Sequence, residues 1–132
     1  DGAAIGYDLE PNMVEYMKKD AKKRGIDNYR AKVVDAQDPD LPPNAFEVIF
    51  LCNTYHHIQD RVDYFKDRKK NLKPAGRLII VDFKKEASGP GPAKKHKLAK
   101  KNVIKELEKA GYKLIKEENF LPHQYYLEFQ KN

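Results

Sequence analysis

Apolar and polar positions follow two different periods along the 132-residue chain, and the changes of period mark its elements. Residues 3–8 form a short apolar run that closes on an acid, which predicts a strand. From residue 11 to 24, Met13, Val14, Met17 and Ala21 recur at helical spacing while Lys18, Lys19, Lys22 and Lys23 point away, which predicts an amphipathic helix. Pro11 suits the first helical position and Gly25 the C-terminal cap. Residues 31–35 predict the next strand, ending in D-A-Q-D before a proline-rich loop at 39–44. Residues 46–52 are apolar almost throughout, the pattern of a strand buried on both faces. Residues 60–72 read as a helix stopped by K-P-A-G at 73–76, and 77–83 as another buried strand.

Residues 87–92 contain S-G-P-G-P, which interrupts regular structure. A helix is predicted over 99–110, with Val103, Ile104 and Leu107 on one face and Gly111 closing it. Residues 114–120 and 124–129 predict a strand pair joined by Leu121–Pro122–His123. Strands that alternate with crossover helices give an α/β fold, a three-layer and mostly parallel sheet with a C-terminal antiparallel strand pair. There are no internal repeats, so the expectation is a single domain over residues 1–132.

Composition narrows the class. Apolar residues make up 40% and charged residues 35%, which fits a globular chain with one modest core. The single cysteine, Cys52, forms no internal disulfide and fits a reducing compartment. No apolar stretch is long enough to cross a bilayer, and the N-terminus lacks signal-peptide character, so the expected location is cytoplasmic with no membrane partner. The net charge of +6 is concentrated at 93–101, A-K-K-H-K-L-A-K-K. Such a run attracts nucleic acid or is the solvated face of a helix. No aromatic residue interleaves with these lysines, which disfavours nucleic acid as partner.

In an open α/β sheet, ligands bind beyond the carboxyl ends of the strands. The residues expected there are Asp8, Asp35 with Ala36 and Gln37, residues 53–57, and Asp82 onward. One strand-end acid suits the two hydroxyls of a ribose, and the acid after the next strand suits an adenine amino group. The plainer reading is that loop acids begin helices and turns.

The order of the segments G-Y-D-L-E-P-N-M, V-V-D-A-Q-D-P-D-L-P, F-E-V-I-F-L-C-N-T-Y-H-H-I and L-K-P-A-G-R-L-I-I-V-D-F-K resembles class I S-adenosylmethionine-dependent methyltransferases, over nearly the whole chain. The resemblance implies a Rossmann-like fold, S-adenosylmethionine as cofactor and S-adenosylhomocysteine as product. It implies that Asp8 holds the ribose hydroxyls and Asp35 the adenine amino group. Ala36 and Gln37 would flank the adenine, Asn53 would sit near the methionine end, and Leu9 and Met13 would pack near the adenosine.

The sequence departs from that family in lacking the first strand and its glycine-rich loop ahead of Asp8. The only G-x-G, Gly89-Pro90-Gly91, lies elsewhere and its prolines remove backbone donors. The expectation is an N-terminally truncated domain whose interior strands have open edges. Such edges favour pairing with another chain, hence a homo-oligomer; a closed-up sheet and a strand supplied by another polypeptide are the alternatives. Glu10 stands where a small capping residue is usual, and Arg68 and Asn71 occupy positions usually apolar.

Methyl transfer to a small-molecule acceptor asks mainly for alignment, with a base only where the acceptor loses a proton. His56 and His57 are the catalytic candidates, with Asp82 a comparable one, and structural roles for both histidines are the alternative. No spacing of histidines or cysteine suits a metal. The basic segment 87–101 is expected to border the acceptor pocket and to favour an anionic acceptor. The competing readings are a cofactor-free fold remnant that self-associates or binds a partner, a nucleic-acid-binding protein, and a nicotinamide-dinucleotide enzyme. The last of these needs the same absent glycine loop.

Overall fold

A computed structural model describes residues 2–86 and 88–132, which divide into two units, Asp1–Asp40 and Leu41–Asn132. Ala87, within the predicted break, lies outside the described residues.

The first unit is a strand, a helix and a strand: β1 (Ala4–Asp8), α1 (Pro11–Lys23) and β2 (Tyr29–Val33). β1 and β2 run parallel, with Asp8 in register with Val33. α1 buries Val14 and Ala21, two of the four residues its periodicity marked, while Met17 is half-buried and Met13 exposed; Ala31 of β2 is buried too. Gly6 marks a close approach. The Tyr29 hydroxyl lies 3.1 Å from the Met17 sulfur, and a Cβ at residue 6 would collide with that hydroxyl. Pro11 does open the helix, and no side chain caps it at Glu10. A Ser or Asp cap there would add about 1 kcal/mol. β2 begins and ends two residues earlier than its apolar pattern indicated, which leaves Asp35 beyond the strand on the following turn.

The second unit is built on a four-stranded sheet in the order β3 (Phe46–Cys52), β4 (Leu72–Phe83), β6 (Gln124–Lys131), β5 (Tyr112–Glu118). β3 and β4 are parallel; β6 runs antiparallel to both β4 and β5. The helices are α2 (Arg61–Arg68) and α3 (Lys100–Lys109). Phe65 of α2 and Val103 and Leu107 of α3 are buried in one cluster with Leu78, Ile80, Tyr125, Leu127 and Phe129 of the sheet. The predicted helix over 60–72 is shorter: a 3-10 turn at Lys69–Asn71 ends it and β4 starts at Leu72. The K-P-A-G segment therefore belongs to the strand, accommodated by a register shift between Phe46 and Val48 of β3.

β3 is not buried on both faces. Ile49 and Leu51 pack on the core, but Val48 is 39% and Phe50 58% exposed. Among the described residues β3 is hydrogen-bonded to β4 alone, and β1 to β2 alone, so each has an open edge. Uniform apolarity thus records a strand suited to cover on both faces, while its actual burial depends on neighbours.

Arg68 and Asn71 are buried. The Asn71 amide donates to the carbonyls of Leu41 (2.8 Å) and Pro42 (3.1 Å), which ties the loop before β3 to the end of α2. Arg68 pairs with Asp67 and lies over the Tyr64 ring, while its Nε and Nη1 have no hydrogen-bond partner among the described residues. Asn71 Oδ1 also lacks a hydrogen-bond partner among the described residues, so the buried polar side chain is only partly compensated at both positions.

Candidate functional site

In the first unit the parallel pairing brings two acids to the carboxyl ends of neighbouring strands. Asp8 ends β1, and its main-chain carbonyl accepts from the Val34 N–H (3.0 Å). Asp8 Oδ1 accepts from the Glu10 N–H at 2.9 Å, so one carboxylate oxygen orders the turn into α1. Asp35 Oδ1 accepts from the N–H groups of Gln37 (2.9 Å) and Asp38 (3.2 Å). These two donors hold the Asp35 carboxyl below the usual carboxylate range. For both acids, Oδ2 has no hydrogen bond among the described residues. Two acceptors at adjacent strand ends suit a ligand that presents hydroxyl and amino donors. Ala36 and Gln37 are exposed on the turn beyond Asp35, and Leu9 and Met13, next to Asp8, are large apolar side chains about half exposed.

In the second unit, Asn53 follows β3 with φ +56°, a left-handed conformation that asparagine tolerates better than most residues. Three contacts fix this turn. The Asn53 N–H donates to the Val81 carbonyl (2.8 Å), Thr54 Oγ1 donates to the Cys52 carbonyl (3.0 Å), and Asn53 Oδ1 accepts from Gln124 Nε2 (2.7 Å). Gln124 carries no motif, and the sequence reading passed over it. Only the antiparallel register, which sets Gln124 opposite Phe83 at the end of β4, brings it beside the end of β3.

The chain then makes a 3-10 turn, Tyr55–His57. Asp82, buried at the end of β4, accepts from the His56 N–H (3.1 Å) and from its own neighbour, the Phe83 N–H (2.8 Å). His56 Nδ1 lies 2.9 and 3.0 Å from the two Asp82 oxygens. A ring nitrogen facing two carboxylate oxygens carries the hydrogen, which leaves Nε2 as the acceptor of the neutral imidazole. The His56 side chain is only 5% exposed, whereas His57 is exposed, with ring centroids 4.0 Å apart. The Tyr125 hydroxyl is buried with no hydrogen-bond partner among the described residues, and burial, with the charge of Asp82 adding to it, pushes its pKa up.

A second polar group anchors this turn from below. Glu106 of α3 receives Arg61 of α2 through Nε (2.7 Å) and Nη2 (2.9 Å), and also the Tyr55 hydroxyl (2.8 Å). The guanidinium hydrogen bonds hold the Glu106 carboxyl below its usual range, and burial pushes Tyr55 up. This network rests on residues far apart in sequence and has no spacing signature.

Among the described residues no group of histidine, cysteine and acids is arranged to hold a metal. No helix is long and apolar enough to cross a membrane.

Comparison with known proteins bears on what these strand ends serve. A protein-family model described as "Methyltransferase domain" matches residues 1–128. Phosphoethanolamine N-methyltransferase 3 of Arabidopsis thaliana is 32% identical over 92 residues, covering 70% of this chain and 19% of that protein. Aklanonic acid methyltransferase DauC of Streptomyces sp. (strain C5) is 35% identical over 80 residues, 61% of this chain and 36% of that protein. The chain thus spans about a fifth of the length of the plant relatives it matches. A crystal structure of a SAM dependent methyltransferase from Aquifex aeolicus superposes with a TM-score of 0.90 at 24% identity, covering 97% of this chain and 68% of that one. A putative type 11 methyltransferase from Sulfolobus solfataricus gives 0.70 at 20% identity, covering 98% and 83%. At these identities the two structures establish a common fold.

Proposed function

The chain belongs to the methyltransferase-domain family, and on that premise we propose that it serves S-adenosylmethionine-dependent methyl transfer to a small-molecule acceptor. The observation that carries this reading is the pair Asp8 and Asp35. Each has one oxygen engaged by backbone N–H groups and a second one uncommitted, at the ends of neighbouring parallel strands. In this reading Asp8 accepts the ribose hydroxyls and Asp35 the adenine amino group. Ala36 and Gln37 flank the base, and Leu9 and Met13 supply apolar cover. Asn53 hydrogen-bonds near the methionine end.

The cofactor supplies a methyl group on a sulfonium, already a strong electrophile, so the residues of this chain have mainly to bind and orient. His56 and His57 are the residues that would take a proton from an acceptor that must lose one, with Asp82 setting the His56 tautomer. The plant relatives are named for phosphoethanolamine, an acceptor of the small, charged kind that the basic segment 93–101 favours.

The open edges of β1 and β3, with Val48 and Phe50 exposed on β3, support self-association through strand pairing. Should cofactor binding fail, these edges favour a self-associating or partner-binding module.

The test is calorimetric titration of the chain with S-adenosylhomocysteine, alongside Asp8→Ala. Micromolar binding is expected, weakened roughly tenfold or more in the variant, because a hydrogen bond to a charged acceptor contributes about 1.5–3 kcal/mol. No heat at millimolar ligand, or equal affinity in the two proteins, overturns the reading.

A further inference from the structure

The outward side of α3 carries a row of like charge. Lys101, Lys105 and Lys109 follow one another at every fourth position, about 6 Å apart along the axis, and all three are exposed. Val103, Leu107 and Ala110 turn the opposite side of this segment into the core. Lys95, exposed in the 3-10 turn Lys94–His96 ahead of the helix, adds a fourth ammonium group. Among the described residues none of these four lysines forms an ion pair, and Glu108 is the one exposed carboxylate on α3.

We infer that this face docks the protein electrostatically on an anionic lipid bilayer. Such docking is attachment at the headgroup surface and needs no spanning helix. The expectation of no membrane partner rested on the absence of a spanning segment alone. The inference goes beyond methyl transfer, and none of the residues proposed to hold the cofactor or take a proton belongs to this face.

The helix keeps its lysines against its own electrostatics. The N-terminal end of a helix carries partial positive charge, which favours acids there and opposes lysine. The first turn of α3 holds Lys100 and Lys101, with no acid and no side-chain cap at Ala99. Lys100 is compensated by an ion pair with Glu117, while Lys101 is exposed and unpaired. A local rule broken without compensation inside the fold points to a use outside it.

The chemistry of the face selects the partner. Protein interfaces are depleted in lysine and built on aromatic and arginine anchors, and α3 has neither. Nucleic-acid sites add stacking rings or arginine forks to their charge, which this face also lacks. A layer of anionic headgroups asks only for several lysines within a Debye length of its surface, about 8 Å at physiological ionic strength. Ile104, the remaining large apolar side chain of α3, packs against the core, so nothing inserts among acyl chains. The attachment is therefore reversible and falls with salt.

The experiment sediments the full chain with vesicles of phosphatidylcholine alone, or of phosphatidylcholine and phosphatidylserine in equal parts, at low ionic strength and at about 0.15 M. Two variants remove equal charge from different places. One is Lys101→Gln/Lys105→Gln/Lys109→Gln on α3, the other Lys19→Gln/Lys22→Gln/Lys23→Gln on the exposed side of α1. The native protein is expected to bind the anionic vesicles alone, and less at the higher salt. Binding is expected to weaken at least tenfold in the α3 variant, since each lysine near an anionic surface contributes about fivefold, and to be mostly kept in the α1 variant. No binding to anionic vesicles, or an equal loss in the two variants, overturns the inference. Competition with a DNA duplex is the last arm. A duplex that fails to displace the protein from the vesicles supports the lipid surface. A duplex that displaces it, and is bound by the native protein but not by the α3 variant, assigns the face to nucleic acid and overturns the inference.

Discussion

Gln124 Nε2 donates to Asn53 Oδ1 at 2.7 Å, joining the first residue of β6 to the residue that leaves β3. The bond commits the Asn53 carbonyl to Gln124 and leaves its Nδ2 hydrogens to donate to a ligand. Gln124→Ala is therefore expected to weaken S-adenosylhomocysteine binding about fivefold, the equivalent of roughly 1 kcal/mol. Asn53→Ala is expected to weaken it at least as much. Calorimetry on both variants decides: a loss at Asn53 with none at Gln124 means that the backbone turn alone orients the amide.

Asp82 meets three donors, His56 N–H, His56 Nδ1–H and Phe83 N–H, in a nearly dry environment. Asp82→Ala leaves them without an acceptor and is expected to cost about 3 kcal/mol in urea unfolding. Asp82→Asn is expected to keep most of that stability and to move the ring hydrogen of His56, a change read from the nitrogen shifts of the imidazole. An unchanged tautomer in Asp82→Asn would show that the carboxylate does not set it.

Glu106 links α2, α3 and the 3-10 turn through Arg61 and Tyr55. Its folded-state pKa is depressed, first by the Arg61 hydrogen bonds. A depressed carboxylate contributes stability that is fully present above its unfolded value of about 4.3 and is lost as pH falls through the lower folded value. Glu106→Gln should therefore be less stable at pH 7 by about 1–2 kcal/mol, and the gap should close in acid, once the pH lies below the lowered folded value. Thermal unfolding at the two pH values measures this; a gap that persists in acid would assign the loss to packing.

Phe50 is 58% exposed on a strand that, among the described residues, is hydrogen-bonded along one side only. Phe50→Lys places a charge on that surface and is expected to shift the chain toward monomer in sedimentation velocity, because edge charges oppose strand pairing. Identical sedimentation of variant and native protein would locate any association elsewhere.

The sequence by itself determined the order and type of the elements. Met13, Val14, Met17 and Ala21 recur at the helical period, and Pro11 and Gly25 punctuate α1 as local chemistry requires. It also singled out Asp8, Asp35, Asn53 and the His56–His57 pair, because an acid or amide just past an apolar run is visible in one dimension. Three matters were decided only by tertiary structure.

The exposure of Val48 and Phe50 depends on which strands flank β3, and an apolar run carries no record of its neighbours. The separation of His56 from His57, one buried on Asp82 and one exposed, comes from a single 3-10 turn placed against the end of β4. The partnerships Gln124 with Asn53 and Arg61 with Glu106 join residues 71 and 45 positions apart. Contacts at such separations are set by strand register and helix packing, since periodicity reports which face a residue occupies and not what the folded chain brings to that face.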